Sequence, residues 1–120
     1  MSAALALLRL ASQADFYETL EAKGRRLSLC IDRAIEKMGV EACLQRSRSM
    51  FTLFFGRKKV ERAESLDGQT YRRFFRFMLD RGVYMAPAQN EAPFFSSCHG
   101  DEELGYVGNT IVEFLSSEFM

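Results

Sequence analysis

Tryptophan is absent from this chain, histidine occurs once, proline twice and cysteine three times. Each shortage closes off a class of explanation. His99 is the single histidine, and Cys30, Cys43 and Cys98 are widely spaced, so the four close ligands of a structural zinc site are not there and no metal is expected. An odd number of cysteines without close pairing speaks against a disulfide framework and for a reducing compartment, the cytoplasm. Charge of one sign is lacking too. Sixteen basic and sixteen acidic side chains give a formal net charge of zero, so the basic footprint of a nucleic-acid binder is missing. No apolar run approaches the roughly 18 residues that a membrane span needs. The opening stretch is briefly apolar, but Arg9 and Asp15 interrupt it and no cleavage-site pattern follows, so no secretory leader is expected.

What is present is ordinary globular material. At 120 residues, 48% hydrophobic and 27% charged, the chain has the length and composition of one domain, residues 1–120. Ser2 to Ala11 reads as a short helix rich in Ala and Leu. Ser12 is placed to cap the next one, with Asp15 suiting its positive end. Phe16, Leu20, Gly24, Leu27, Ile31, Ile35 and Met38 then recur at three- and four-residue steps, which predicts an amphipathic helix ended by Gly39. Val40 to Ser47 reads as a strand, Arg48 and Ser49 as a turn, and Met50 to Phe55 as a strand apolar on both faces and so covered on both.

Residues 57–69 read as a polar loop. Its basic run, Arg57, Lys58 and Lys59, is solvated rather than a phosphate clamp, because acidic residues follow at once. Tyr71, Phe74, Phe75, Met78 and Leu79 mark a second amphipathic helix closed by Arg81 and Gly82, with Phe74, Phe75 and Met78 against the strand Met50 to Phe55. Val83 to Met85 predicts a short strand stopped by Pro87. A loop from Ala88 to Pro93 follows, and Phe94 to Ser96 is a further extended piece. From Asp101 a last helix carries Leu104, Val107, Ile111, Phe114 and Leu115 on one side. The fold class predicted is α+β, a small and mainly antiparallel sheet with helices packed on one face.

No self-contained active site is visible, and no catalytic or cofactor-binding residue is assigned to the isolated chain. There is no glycine-rich phosphate loop, nucleophile elbow or metalloprotease helix. Cys98 and His99 are neighbours in sequence, a placement that rarely aims a nucleophile at its base. The lysines are Lys23, Lys37, Lys58 and Lys59. All four lie at helix flanks or in the basic loop, where nothing would depress a pKa for Schiff-base chemistry.

Several stretches with preserved spacing carry a resemblance. Ser49 to Phe55 reads "SMFTLFF". Gly82 to Ala92 is similar to "GVYLAPSQFEA", and Ser96 to His99 is similar to "SSAH". The opening residues resemble a segment that follows "GNPL". Together these span essentially the whole chain, in order, and resemble the C-terminal small domain of the glutamate-1-semialdehyde 2,1-aminomutase family, pyridoxal-phosphate enzymes of fold type I within the class III aminotransferases.

The resemblance implies a complete enzyme that converts glutamate 1-semialdehyde to 5-aminolevulinate for tetrapyrrole synthesis. Its large domain, absent here, holds pyridoxal phosphate through a lysine that precedes the region covered, and a second subunit lies near the cofactor site. Glu91 matches the acidic residue of a loop facing the active site, where a carboxylate would hold the substrate's amino group or bias the cofactor's charge state. His99 matches a histidine before the last helix, with a packing or capping role expected. Arg48 stands where the family usually has Gly, Asn90 replaces an aromatic, Pro93 replaces a Gly, and Gly100 stands where a Thr would cap the last helix.

Alone, the chain is expected to be inactive. The alternatives are a piece of another class III aminotransferase acting on a different amine, or a non-catalytic interaction module with the same fold. The eleven Phe and four Tyr exceed what so small a core needs. Phe94 and Phe95 are therefore expected near the surface beside the Glu91 loop, and self-association through such surface is expected.

Overall fold

The structure is a computed structural model that describes residues 2–56, 58–60 and 67–120. Helix α1 (Ser2–Ala11) leads into the long helix α2 (Phe16–Met38). A hairpin of β1 (Ala42–Ser47) and β2 (Met50–Phe55) follows, then α3 (Gly68–Asp80) and α4 (Asp101–Phe119).

The antiparallel register pairs Ala42 with Phe55, Leu44 with Leu53 and Arg46 with Phe51, so these six residues share one face. All the main helices lie on that face. Gly24 of α2 sits under Arg46, and Phe55 meets Tyr71 and Phe74 of α3 and Phe114 of α4 at 5.5–6.3 Å. The core is Ile31, Leu53, Phe55, Phe74, Met78, Ile111, Phe114 and Leu115, each essentially inaccessible. The opposite face of β2 carries Thr52, buried, and Phe54, half-buried, beside Ala92 of a loop rather than beneath a helix.

Local chemistry accounts for the element ends. Gly39 takes a left-handed φ of 66° and returns its N–H to Ile35 and Glu36, closing α2 as anticipated. Asp67 caps α3 by accepting from the N–H groups of Gln69 and Thr70, at 3.1 and 3.0 Å. Its carboxyl is held below the usual carboxylate range, first by the Thr70 hydroxyl and then by the Thr70 N–H. The residue that caps α2 is Asp15, without a side-chain bond. Ser12 instead donates back to the Leu8 carbonyl at the end of α1.

The α+β class with helices on one face stands, but the sheet is smaller than the sequence indicated. Among the described residues it has two strands, not four. Val83 to Met85 has no ladder, and Phe94 contributes a single bridge to Met50. Pro87 and Pro93 explain this, since neither has an N–H to give to a ladder. The phase of α3 also differs. Its buried stripe is Thr70, Tyr71, Phe74 and Met78. Phe75 is half-buried and stacks edge-on against Tyr84, and Leu79 is exposed. Of the loop between β2 and α3, positions 57 and 61–66 lie outside the described residues; Lys58 is exposed.

Candidate functional site

The segment from Met85 to Phe95 runs along the edge of β2 that β1 leaves free. It is tied there at separate points. Tyr71 donates its hydroxyl proton to the Ala86 carbonyl at 2.7 Å. Further on, Phe51 N donates to the Pro93 carbonyl and Phe95 N to the Ser49 carbonyl, both at 3.1 Å. Between these anchors lies Gln89, 8% exposed. Its Oε1 accepts from Phe55 N and its Nε2 donates to the Asp67 carbonyl, both at 3.1 Å. Asp67 N in turn donates to the Phe55 carbonyl at 3.1 Å, which closes a ring of three hydrogen bonds.

Glu91 stands two residues beyond this ring, on the exposed tip of the loop, with its N–H donated to the Ala88 carbonyl at 3.1 Å. The tip is not electrically remote from the core. Burial pushes the Tyr71 phenol up to about 12, and the negative charge of Glu91 adds to that shift. No salt bridge engages Glu91 among the described residues, so its carboxylate is available to a cation brought against the loop. Beside the loop a groove of about 670 Å³ opens between α4 and the segment Gly82 to Phe95. Tyr84, Phe94 and Tyr106 line it and are exposed. Phe95, expected at the surface with Phe94, is buried instead and packs on Phe51 at 6.3 Å.

The other candidates are structural. His99 is exposed. Its Nδ1 accepts from Ser96 N at 2.9 Å and lies 3.1 Å from the Ser96 hydroxyl, so the ring closes the turn before α4. That is the capping-type role anticipated, though it serves a turn rather than the helix itself. Gly100 stands at the N-cap of α4 without a side-chain bond, and Asp101, Glu102 and Glu103 occupy the positive first turn. Cys98 gives its backbone N–H to the Ser96 hydroxyl and is not bonded to His99. Lys23 departs from the solvated reading: its ammonium donates to the carbonyls of Ser97 and His99, at 3.1 and 2.9 Å. None of the described lysines is enclosed in an apolar pocket, so the residues present do not fit a Schiff-base site. Among the described residues no three His, Cys, Asp or Glu side chains gather to hold a metal, and no helix is long and apolar enough to cross a membrane.

Sequence reasoning missed Gln89, the buried residue on which the loop hangs. A polar residue in a loop gives no periodic signal; only its place two residues before Glu91 set it apart.

The architecture has clear counterparts among solved structures. An omega-transaminase from Sphaerobacter thermophilus superposes with a TM-score of 0.73 over 90% of this chain and 25% of its own, at 17% identity. A glutamate-1-semialdehyde aminomutase from Pseudomonas aeruginosa, solved in complex with PMP, gives 0.77 over 90% of this chain and 24% of its own, at 14% identity. The fold is thus one that aminotransferases carry in about a quarter of their length.

Sequence narrows the class. The chain is 39% identical to the glutamate-1-semialdehyde 2,1-aminomutase of Persephonella marina over 87% of its length, and 38% identical to that of Protochlamydia amoebophila over 99%. It is a homologue of the glutamate-1-semialdehyde 2,1-aminomutases. It spans about a quarter of the length of these relatives, 25% and 28% respectively. No family model matches the chain.

Proposed function

We propose that the chain, as a single domain over residues 1–120, is the C-terminal small domain of a cytoplasmic pyridoxal-phosphate enzyme that converts glutamate 1-semialdehyde to 5-aminolevulinate. In that enzyme the chain would cover the active site formed by a large cofactor-holding domain and a second subunit. The observation that carries this is the pinned loop that presents Glu91, in a chain whose relatives are aminomutases. When bound, pyridoxal phosphate supplies the electron sink for the chemistry. Glu91 contributes a carboxylate on the substrate side, placed to hold the substrate's ammonium group. The lysine positions support inactivity of the chain alone, since none offers a desolvated amine.

The docking surface for the rest of the enzyme would include α1 and the groove beside the loop. Leu5, Leu7, Leu8 and Leu10 of α1 are all exposed, as are Tyr84 and Phe94, and apolar surface of this kind marks an interface. The same surface supports self-association of the isolated chain. Three free cysteines and a neutral net charge fit the cytoplasm and give no support to a nucleic-acid partner.

A chimera tests the reading. This chain would replace the corresponding quarter of the Persephonella marina aminomutase, and the product would be loaded with cofactor and assayed for 5-aminolevulinate. Activity is expected, with Glu91→Gln lowering kcat at least about tenfold, the loss of one charge-assisted contact. A folded, loaded chimera without activity overturns the reading. Activity unchanged by Glu91→Gln removes Glu91 from the site. A second reading, an aminotransferase for another amine, draws on Asn90 and Pro93, the departures that flank Glu91. It predicts amino transfer to an external acceptor by the same chimera.

A further inference from the structure

We propose that Gln89 is the positioning residue of the Glu91 loop, acting as a surrogate peptide unit on the free edge of β2. The inference rests on the proposed role of Glu91 for its functional meaning, but the clamp itself is carried by geometry.

β2 has two edges. One pairs with β1 through a regular ladder. On the other, Phe51 N finds a backbone carbonyl, that of Pro93, and Phe55 N finds none. A buried N–H without a partner is destabilising, because it gives up its bond to water and gains none in return. The Gln89 side chain removes that cost with the same pair of groups a neighbouring strand would offer, one carbonyl and one N–H. The carbonyl accepts from Phe55 N, and the N–H is passed to the Asp67 carbonyl. Asp67 N then closes the ring on the Phe55 carbonyl.

Two consequences follow from using a side chain here. The backbone of Gln89 is spared a ladder position on the edge, and Ala92 lies beside Thr52 and Phe54 before Pro93 bonds to the strand. No hydrogen bond joins 90–92 to β2 among the described residues. Glu91 is exposed, while Gln89, two residues before it, is 8% exposed and held in the ring. The ring also couples three segments: the end of β2, the cap residue of α3 and the loop. Asn, one methylene shorter, would not span the same two groups. Glu at neutral pH would set a carboxylate against the Asp67 carbonyl.

Hydrogen exchange and backbone order parameters of the labelled 120-residue chain test this. In Gln89→Ala, exchange of the Phe55 amide is expected to speed at least about tenfold, as one lost hydrogen bond implies. Order parameters at Asn90 and Glu91 are expected to fall below about 0.6, against about 0.85 for rigid backbone. The amides of Cys43 and Phe54, in the β1–β2 ladder, should keep their protection and report an intact hairpin. A folded variant with unchanged Phe55 exchange and loop order overturns the proposal.

Should Gln89→Ala fail to fold, Gln89→Glu decides. Protonation restores an O–H donor toward the Asp67 carbonyl, and burial raises the pKa of the introduced carboxyl. Loop order in this variant is therefore expected to be low at pH 7 and to recover toward wild type below about pH 5. A purely space-filling role for Gln89 would leave loop order the same at both pH values, and that result would also overturn it. Glu91→Gln should change neither Phe55 exchange nor loop order. If the chimera shows Glu91 to be dispensable while Gln89→Ala still frees the loop, the functional reading fails and the clamp stands.

Discussion

Arg46 and Glu21 face each other through two hydrogen bonds of 2.9 and 3.1 Å, fastening the hairpin to α2. The pairing is bidentate, the arrangement that gives an Arg–carboxylate contact its direction as well as its strength. The Arg46 side chain is 15% exposed, so removing its partner leaves a guanidinium with little water around it.

The pH dependence of that contact has a defined sign. The hydrogen bonds from Arg46 hold the Glu21 carboxyl below its ordinary range, against the opposing effect of burial. A depressed folded-state pKa means that the stabilisation is present above about pH 4.3 and is lost as the pH falls through the lower folded value. Wild type should therefore have a higher urea midpoint than Glu21→Gln at pH 7, and the gap should narrow toward pH 3. A gap independent of pH would contradict the assignment.

Gly24 lies directly beneath this pair. A Cβ there would come within 2.7 Å of Arg46 Nη1 and 2.8 Å of the Arg48 carbonyl oxygen. In an open helix Gly→Ala stabilises by about 1 kcal/mol. Here the carbonyl belongs to a backbone that cannot swing aside, so Gly24→Ala should destabilise by about 1–3 kcal/mol. The sign of the change in unfolding free energy settles the matter.

Two adjacent phenylalanines of α3 should respond very differently to truncation. Phe74 is fully buried and meets Phe55 at 5.5 Å and Phe114 at 5.2 Å, so Phe74→Ala should cost about 3–5 kcal/mol. Phe75 is half-buried against Tyr84, 6.0 Å away, and Phe75→Ala should cost under about 2 kcal/mol. Equal losses in denaturant melts would mean that the helix is rotated from the orientation seen here.

Arg48 is the one non-glycine residue with a left-handed backbone among the described residues, at φ 55°. That conformation costs an L-residue about 1–2 kcal/mol, while Gly brings its own entropy loss of about 0.5–1 kcal/mol on folding. Arg48→Gly should therefore raise stability by about 0.5–1 kcal/mol in urea titrations. No gain would mean that the Arg48 side chain contributes a contact of similar size.

The contrast between Phe74 and Phe75 also shows what the sequence could convey. Helix α2 was legible because its apolar residues keep one phase over six turns and Gly39 marks its end. The hairpin was legible because Arg48 and Ser49 separate two strand-forming runs, and α4 because Leu104, Ile111, Phe114 and Leu115 fall on one stripe. In α3 the phase was ambiguous: Phe74, Phe75, Phe77, Met78 and Leu79 offer apolar residues on most sides, and only packing against Phe55 and Phe114 selects among them. The stretches around Val83 and Phe94 have strand-like composition but prolines where ladder donors are needed. Glu91 could be singled out by its motif. The support beneath it could not, because Gln89 does with a side chain what a strand does with its backbone.

The joining of α2 to α4 has a consequence for the order of folding events. Arg26 meets Asp101 across 75 residues of chain, and Gly108 lets Leu27 and Cys30 approach α4 closely. The hairpin, by contrast, closes around two residues. Closing the longer loop carries the larger entropy cost and is rewarded only when both helices are in place. Docking of α4 is accordingly expected after the rate-limiting barrier. Trimming its buried face with Ile111→Val should speed unfolding and leave the folding rate nearly unchanged, whereas Leu53→Ala in the hairpin should slow folding. A chevron in which Ile111→Val slows folding would place this crossing in the nucleus instead. If α4 docks late, the last contacts to form are also the first to open, and the hidden rings of Phe55, Phe74 and Phe114 meet solvent whenever the helix lifts away.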